Sequence, residues 1–259
     1  MRHSYMRHRS IRDYFLLGFA IVFTIVCVNL GLWQLQRRAQ RQALNSKIVA
    51  RLGYAPIAAT ALPRDSSSLH YKQVRVRGVY DYAHQIMLVD RSRNGSPGVN
   101  IITPVRIVGT DTAVLVNRGW VYAPDGVTAD ASHWTEGDSV NALGYARPLS
   151  VPYPGSPDLS RHPRAYRWLD LATLSRAVPY PLFPFTIVLE EDSVTRDNVA
   201  STGAPPRVPP PPLDEGPHMS YAIQWFAFAT IAVVGSVAYL RSTSPTRDRD
   251  DEIVPRTLQ

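Results

Sequence analysis

Cysteine is all but absent from this chain. Its single copy, Cys27, lies inside an apolar run. No disulfide can close within the chain, and no Cys-based metal site of the usual kind can form. The seven histidines are scattered without tight ligand spacing, and no His-Glu-x-x-His occurs. A Gly-rich phosphate loop is also missing, and Ser66-Ser67-Ser68 is not a nucleophile elbow. These absences point away from an enzyme.

Excess charge is missing from the middle of the chain. Residues 1–52 carry nine Lys/Arg against Asp13 alone. Residues 53–217 carry 15 basic and 16 acidic residues, and residues 218–259 carry four of each. The net charge of +7 therefore belongs to the flanks of one apolar segment. A nucleic-acid partner would need a basic face on the folded part, so the pattern excludes nucleic acid and fits lipid headgroups.

Two long apolar runs are present, Phe15–Leu32 and Tyr221–Leu240. Each has the length a helix needs to cross the hydrocarbon core, roughly 17–25 residues. A basic stretch before the first run suits a signal peptide, but the run is long and no small-x-small cleavage site follows. We therefore expect an uncleaved anchor. Gln34 to Arg51 has neither Pro nor Gly, so the first helix is expected to continue past the bilayer until Gly53. Asn29, Trp33, Arg37 and Arg41 recur every four residues on one stripe. That stripe is either an interfacial belt with snorkelling arginines or a docking face for another membrane protein.

Between the runs the pattern is mostly strand. Val74 and Val76 alternate with Arg75 and Arg77; Gln85–Val89, Val99–Val108, Ala113–Val116, Val140–Tyr145 and Phe185–Leu189 follow. Pro104 predicts an edge or a bulge. Arg93–Gly98 is a dense turn signal, and Trp168–Ala177 reads as one short helix. Ala204–Leu213 holds six prolines in ten residues and reads as a linker. The expected fold class is a membrane protein of two terminal transmembrane helices flanking a mostly antiparallel β domain, barrel- or sandwich-like, of α+β type. The boundaries are a basic tail 1–13, helix 14–52, β domain 53–203, linker 204–217, helix 218–240 and charged tail 241–259. Basic residues flank the first helix on both sides, so counting them does not orient it. Long domains cross regardless of charge, and we expect both termini in the cytoplasm and the middle domain outside.

His218, Tyr221 and Trp225 share one helix face at i, i+3 and i+7. Such a face could ligate haem iron and stack a porphyrin, or be a headgroup-level histidine among belt aromatics. Asn117-Arg118-Gly119-Trp120 reads as a strand terminus where Gly permits a bend and Trp covers the core.

Four segments carry a resemblance: Gly31-Leu32-Trp33-Gln34-Leu35-Gln36-Arg37, Pro97-Gly98 leading to Ile102-Thr103-Pro104, Leu115–Val121 around Asn117-Arg118-Gly119-Trp120, and His218-Met219-Ser220-Tyr221-Ala222-Ile223-Gln224-Trp225-Phe226. In this order, between two terminal apolar helices, they resemble the surfeit locus protein 1 family over about residues 14–240. The resemblance implies an assembly factor for haem-copper cytochrome c oxidase, active when haem a enters the catalytic subunit. It implies transient haem a as cofactor, at His218 with Tyr221 and Trp225. It implies the oxidase catalytic subunit and other assembly factors as partners, contacted through Asn29, Trp33, Gln34 and Arg37 and through Asn117, Arg118, Gly119 and Trp120. The expected location is the plasma membrane of a bacterium. The other reading of the same motifs is a permanent subunit of a respiratory supercomplex.

Overall fold

A computed structural model describes residues 10–63, 68–149, 162–191 and 203–242. The basic stretch before Ser10 and the tail after Ser242 lie outside the described residues. The chain divides into two compact units, residues 1–45 with 213–259, and residues 46–212.

The first unit holds most of α1 (Ile11–Leu52) and α3 (His218–Ser242). Both helices are long and apolar enough to cross a membrane. α1 starts at a capping arrangement: the Ser10 hydroxyl accepts from Arg12 N–H and the Asp13 carboxylate accepts from Ser10 N–H. It then runs unbroken for 42 residues, about 63 Å at 1.5 Å per residue, and stops at Gly53 as expected. Pro217 sits at the entry of α3, where a missing N–H costs nothing. The covered positions of α1 fall at Ala20, Thr24, Cys27, Gly31, Gln34 and Arg38; those of α3 fall at His218, Ala222, Trp225, Ala229, Ala232 and Ser236. Alternating steps of three and four give a period of 3.5, the seam of two helices wound left-handed around each other. Small residues line it. A Cβ on Gly31 would lie 2.7 Å from the Phe226 ring, so the helices touch there because the residue is glycine.

The second unit is the β domain. Its strands are β1 (Ile57–Ala58), β2 (Gln73–Tyr80), β3 (Ile86–Leu88), β4 (Gly98–Ile107), β5 (Ala113–Tyr122), β6 (Ser139–Pro148), β7 (Ala165–Tyr166) and β8 (Leu182–Leu189). The sheet order is β1-β2-β6-β8-β5-β4-β3-β7, and an extra β2–β4 pairing closes it. Five strands thus form a ring, β2-β6-β8-β5-β4 and back to β2. Every pairing in the ring is antiparallel except β5 with β8. Numbered along the chain, the ring reads 1-4-5-3-2, the Greek-key order of an OB-type barrel.

β2 alternates buried and exposed residues, as one-sided strands do. β4 and β5 are buried almost throughout because both their faces are covered. Val105, Val114, Val116, Phe185 and Ile187 fill the barrel interior with β2 and β6 residues. Outside it, Ile102 and Leu115 pack beneath Leu169 and beneath Leu174 of the short helix α2 (Leu171–Leu174). Asp170 caps α2, accepting from Ala172 N–H and Thr173 N–H.

Pro104 sits in an interior strand, not at an edge. On one side it pairs with Leu115. On the other, β4 changes partner, from β3 at Asn100–Ile102 to β2 at Val105–Ile107. The Pro104 carbonyl accepts from Asp81 N–H at 2.8 Å in that gap, so its missing donor faces the one place where no strand asks for it. The bulge lies nearby, between Ile101 and Ile102 opposite Arg118.

Candidate functional site

α3 meets α1 through polar contacts at two levels. At one, the Tyr239 hydroxyl donates to Asp13 Oδ1 at 2.6 Å. At the other, His218 Nδ1 lies 2.8 Å from Gln34 Oε1. An amide oxygen only accepts, so Nδ1 donates in this pair, and the tautomer this selects in a neutral ring leaves the lone pair on Nε2. Further along, Arg38 Nε and Gln42 Nε2 each donate to Glu215 at 2.7 Å, and Asn45 Nδ2 donates to the carbonyls of Leu213 and Asp214. The hydrogen bonds from Gln42 and then Arg38 hold the Glu215 carboxyl below its ordinary pKa. Asp13 and Gln34 are twenty-one positions apart, and so are His218 and Tyr239. At 1.5 Å per residue that is about 32 Å, close to the thickness of a hydrocarbon core.

The structure sorts the residues expected from sequence into two faces. Gln34 belongs to the seam, engaged by His218, so it is not free to contact a partner protein. Asn29, Trp33 and Arg37 lie on the other side of α1, two to three residues out of phase with the seam. Trp33 is 51% exposed, Arg37 bonds Gln40 on its own helix, and Asn29 bonds back to the Ile25 carbonyl. His218 reaches α1 through Gln34, while Trp225 is half-buried and meets Phe228 of its own helix edge to face at 5.9 Å. Tyr221 instead points outward, 48% exposed. The three-residue face expected of α3 is therefore split.

The Asn117-Arg118-Gly119-Trp120 segment is not a docking surface. Asn117 is 4% exposed and Arg118 not at all. Arg118 follows Val114 and Val116 on the inward side of β5 and closes one end of the barrel. Its Nε donates to Glu136 Oε1 at 2.6 Å and its Nη1 to Gln85 Oε1 at 2.8 Å. The rings of Tyr80 and Tyr82 each lie 5.1 Å from its Cζ, supplying π faces to a desolvated cation. Burial pushes the hydroxyls of both tyrosines up, so the rings stay neutral. Glu136 Oε2 accepts in turn from Arg207 Nη2 at 2.5 Å, and Arg207 Nη1 donates to the Arg118 carbonyl. Trp120 N–H donates to the Pro206 carbonyl, and Trp120 Nε1 to that of Arg91. The proline-rich stretch thus does more than link. Ala204, Pro205 and Arg207 are buried, and the stretch straps the end of the barrel.

Sequence reasoning missed Glu136, Arg207, Gln85 and Glu215. One signal was available: Arg207 stands as the lone charge among six prolines. Such a rigid segment loses little entropy on docking.

A profile described as the SURF1 family matches residues 21–230. The chain belongs to the SURF1 family. Its relatives include Surfeit locus protein 1 of Takifugu rubripes, 30% identical over 122 residues, which are 41% of this chain and 51% of that protein. Surfeit locus protein 1 of Xenopus tropicalis is 23% identical over 232 residues, 84% of this chain and 73% of that protein. A SURF1-like protein of Monosiga brevicollis is 24% identical over 242 residues, 86% and 90% of the two chains. The Takifugu match spans only about half of that protein's length, while the other two cover more than four fifths of this chain. For this SURF1-family chain, the match runs from the apolar part of α1 to the first half of α3.

Proposed function

We propose that this chain is a non-catalytic assembly factor for a haem-copper cytochrome c oxidase, working when haem a enters the catalytic subunit. The observation that carries the reading is the His218–Gln34 pair. An imidazole at the entry of α3 has its Nδ1 proton tied to an amide oxygen, which fixes the tautomer with Nε2 as ligand atom. His218 would hold the haem iron through Nε2, and the haem itself would supply the redox chemistry once delivered. Gln34 orients His218; Trp225 lends an aromatic flank; Tyr221 faces outward from the same end of the helix. The exposed face of Asn29, Trp33 and Arg37 is read as the contact to the oxidase subunit. The protein would lie in a plasma membrane, with both termini cytoplasmic and the barrel outside.

A deletion strain complemented with variants tests this. Complementation by His218→Ala should leave oxidase with less than a tenth of the wild-type haem a, although the variant itself accumulates. The purified wild type should show a haem absorbance band that His218→Ala lacks. Trp33→Ala and Arg37→Ala should lower oxidase assembly at unchanged abundance of this chain. Normal haem a in the deletion strain would sink the reading. Recovery of the chain at one copy per mature oxidase would favour a permanent subunit instead.

A further inference from the structure

A cleft of about 210 Å³ opens on the outer face of the barrel, over β5, β8 and the end of β6. That is room for about seven waters, at roughly 30 Å³ each. Asn117 and Arg147 alternate along their strands with the inward-facing Val116 and Ala146, so they point to this face. Asn100 and Arg91 complete the polar wall.

Four facts describe what this wall is prepared to bind. The Asn117 amide oxygen accepts from Gly119 N–H at 3.1 Å, which leaves its NH₂ group turned to the cleft. Asn100 is 8% exposed and makes no side-chain hydrogen bond among the described residues. Its amide is open to the cleft, where a ligand can meet it. Arg91 is held in place from three sides. Its N–H donates to the Gly98 carbonyl, its carbonyl accepts from Trp120 Nε1, and its Nη2 donates to the Arg167 carbonyl. Finally, no carboxylate lines the cleft among the described residues, and the neighbouring Asp90 is paired with Arg167. Burial and then the nearby Arg147 charge lower the Arg91 pKa, with Asp90 acting in the other direction. It remains protonated at any physiological pH.

Two guanidinium groups and two amides therefore converge with donors and no anion. Apolar residues share the lining: Leu88 stands beside Asn100 and Val188 beside Asn117 in the strand register, and Leu169 joins them. We propose that this cleft is a binding site for a small organic carboxylate, its oxygens on Arg91, Arg147 and the Asn117 amide and its apolar body against Leu88 and Leu169. Planar forked donors match a carboxylate. An inorganic phosphate would leave the apolar lining bare. The lining residues all belong to the β domain, and the proposal does not depend on any role in oxidase assembly.

Full-length protein in non-ionic detergent, at constant ionic strength, is titrated with sodium benzoate, sodium phosphate and neutral benzamide. The heat of binding and the unfolding temperature are recorded. Benzoate should bind saturably, and benzamide at least tenfold more weakly. Arg147 is exposed, so Arg147→Gln leaves the fold intact and should weaken benzoate at least tenfold. Arg147→Lys should recover part of that loss. Benzoate binding that does not saturate, or that is equal in Arg147→Gln, overturns the site. Saturation by phosphate in place of benzoate overturns the carboxylate assignment.

Discussion

Replacing Glu136 by alanine is expected to destabilise the barrel by about 3–5 kcal/mol, the loss seen when one partner of a buried ion pair is removed. Among the described residues Glu136 is the carboxylate bonded to both Arg118 and Arg207, and its side chain is 10% exposed. Without it, two desolvated guanidinium groups face each other across the barrel end, left among the described residues with Gln85 Oε1, Thr103 Oγ1 and the Arg118 carbonyl as acceptors. Glu136→Gln keeps the shape and one acceptor, so it should cost less. The triple replacement Arg118→Met, Glu136→Leu, Arg207→Met removes every charge at once and should recover much of the loss, since a well-packed apolar trio often matches a buried ionic one. Urea unfolding of the full chain in detergent measures all three. A Glu136→Ala protein within about 0.5 kcal/mol of wild type, the range of surface substitutions, would mean that the network carries no stability.

Gly119→Ala should be almost as damaging, for a different reason. A Cβ at this position would stand 2.5 Å from the Pro206 carbonyl oxygen and 2.7 Å from that of Pro205. Both obstacles are backbone, so no rotamer change relieves the clash, and the φ of 155° is itself uncommon for an L side chain. The strap must lift from β5. That lifts the acceptor of Trp120 N–H and draws Arg207 off Glu136. Overpacking costs about 1–3 kcal/mol, and a buried donor left bare adds about 1–3. The expected signature is faster proteolysis within residues 203–212 together with a lower unfolding temperature. Because both changes act on one strap, Gly119→Ala in a Glu136→Ala background should cost less than it does alone. Full additivity would show that the strap and the ion network are independent.

The sequence carried the helices and most strands in plain form. Gln34–Arg51 has no helix breaker, so the continuation of α1 to Gly53 could be read directly. β2 showed its alternation because one of its faces meets solvent. β4 and β5 were legible as apolar runs but not as inner and outer faces, since Ile102 and Leu115 are as buried outside the barrel as Val105 and Val116 are inside. Closure could not be read at all. It rests on three residue pairs, Gly78–Tyr80 against Val105–Ile107, and on a parallel β5–β8 pairing between strands some seventy residues apart. Arg118 looked like a strand end because its partners, Glu136 and Arg207, lie in loops with no pattern of their own. At the hairpin, Gln34 and His218 were both noticed in sequence. Their pairing was hidden because the four-residue stripe through Asn29, Trp33 and Arg37 drew the eye from the 3.5-residue seam beside it.

The two cross-links of the hairpin make it a gauge of fixed length. They are twenty-one positions apart on either helix, so neither can slip past the other by a turn without parting both. Hydrophobic mismatch must then be answered by the rod as a whole, through tilt or through local bending of the lipid, and not by a change of register. The depth of the His218 imidazole is written into the chain, and a bilayer of another thickness changes its angle of approach before it changes its height.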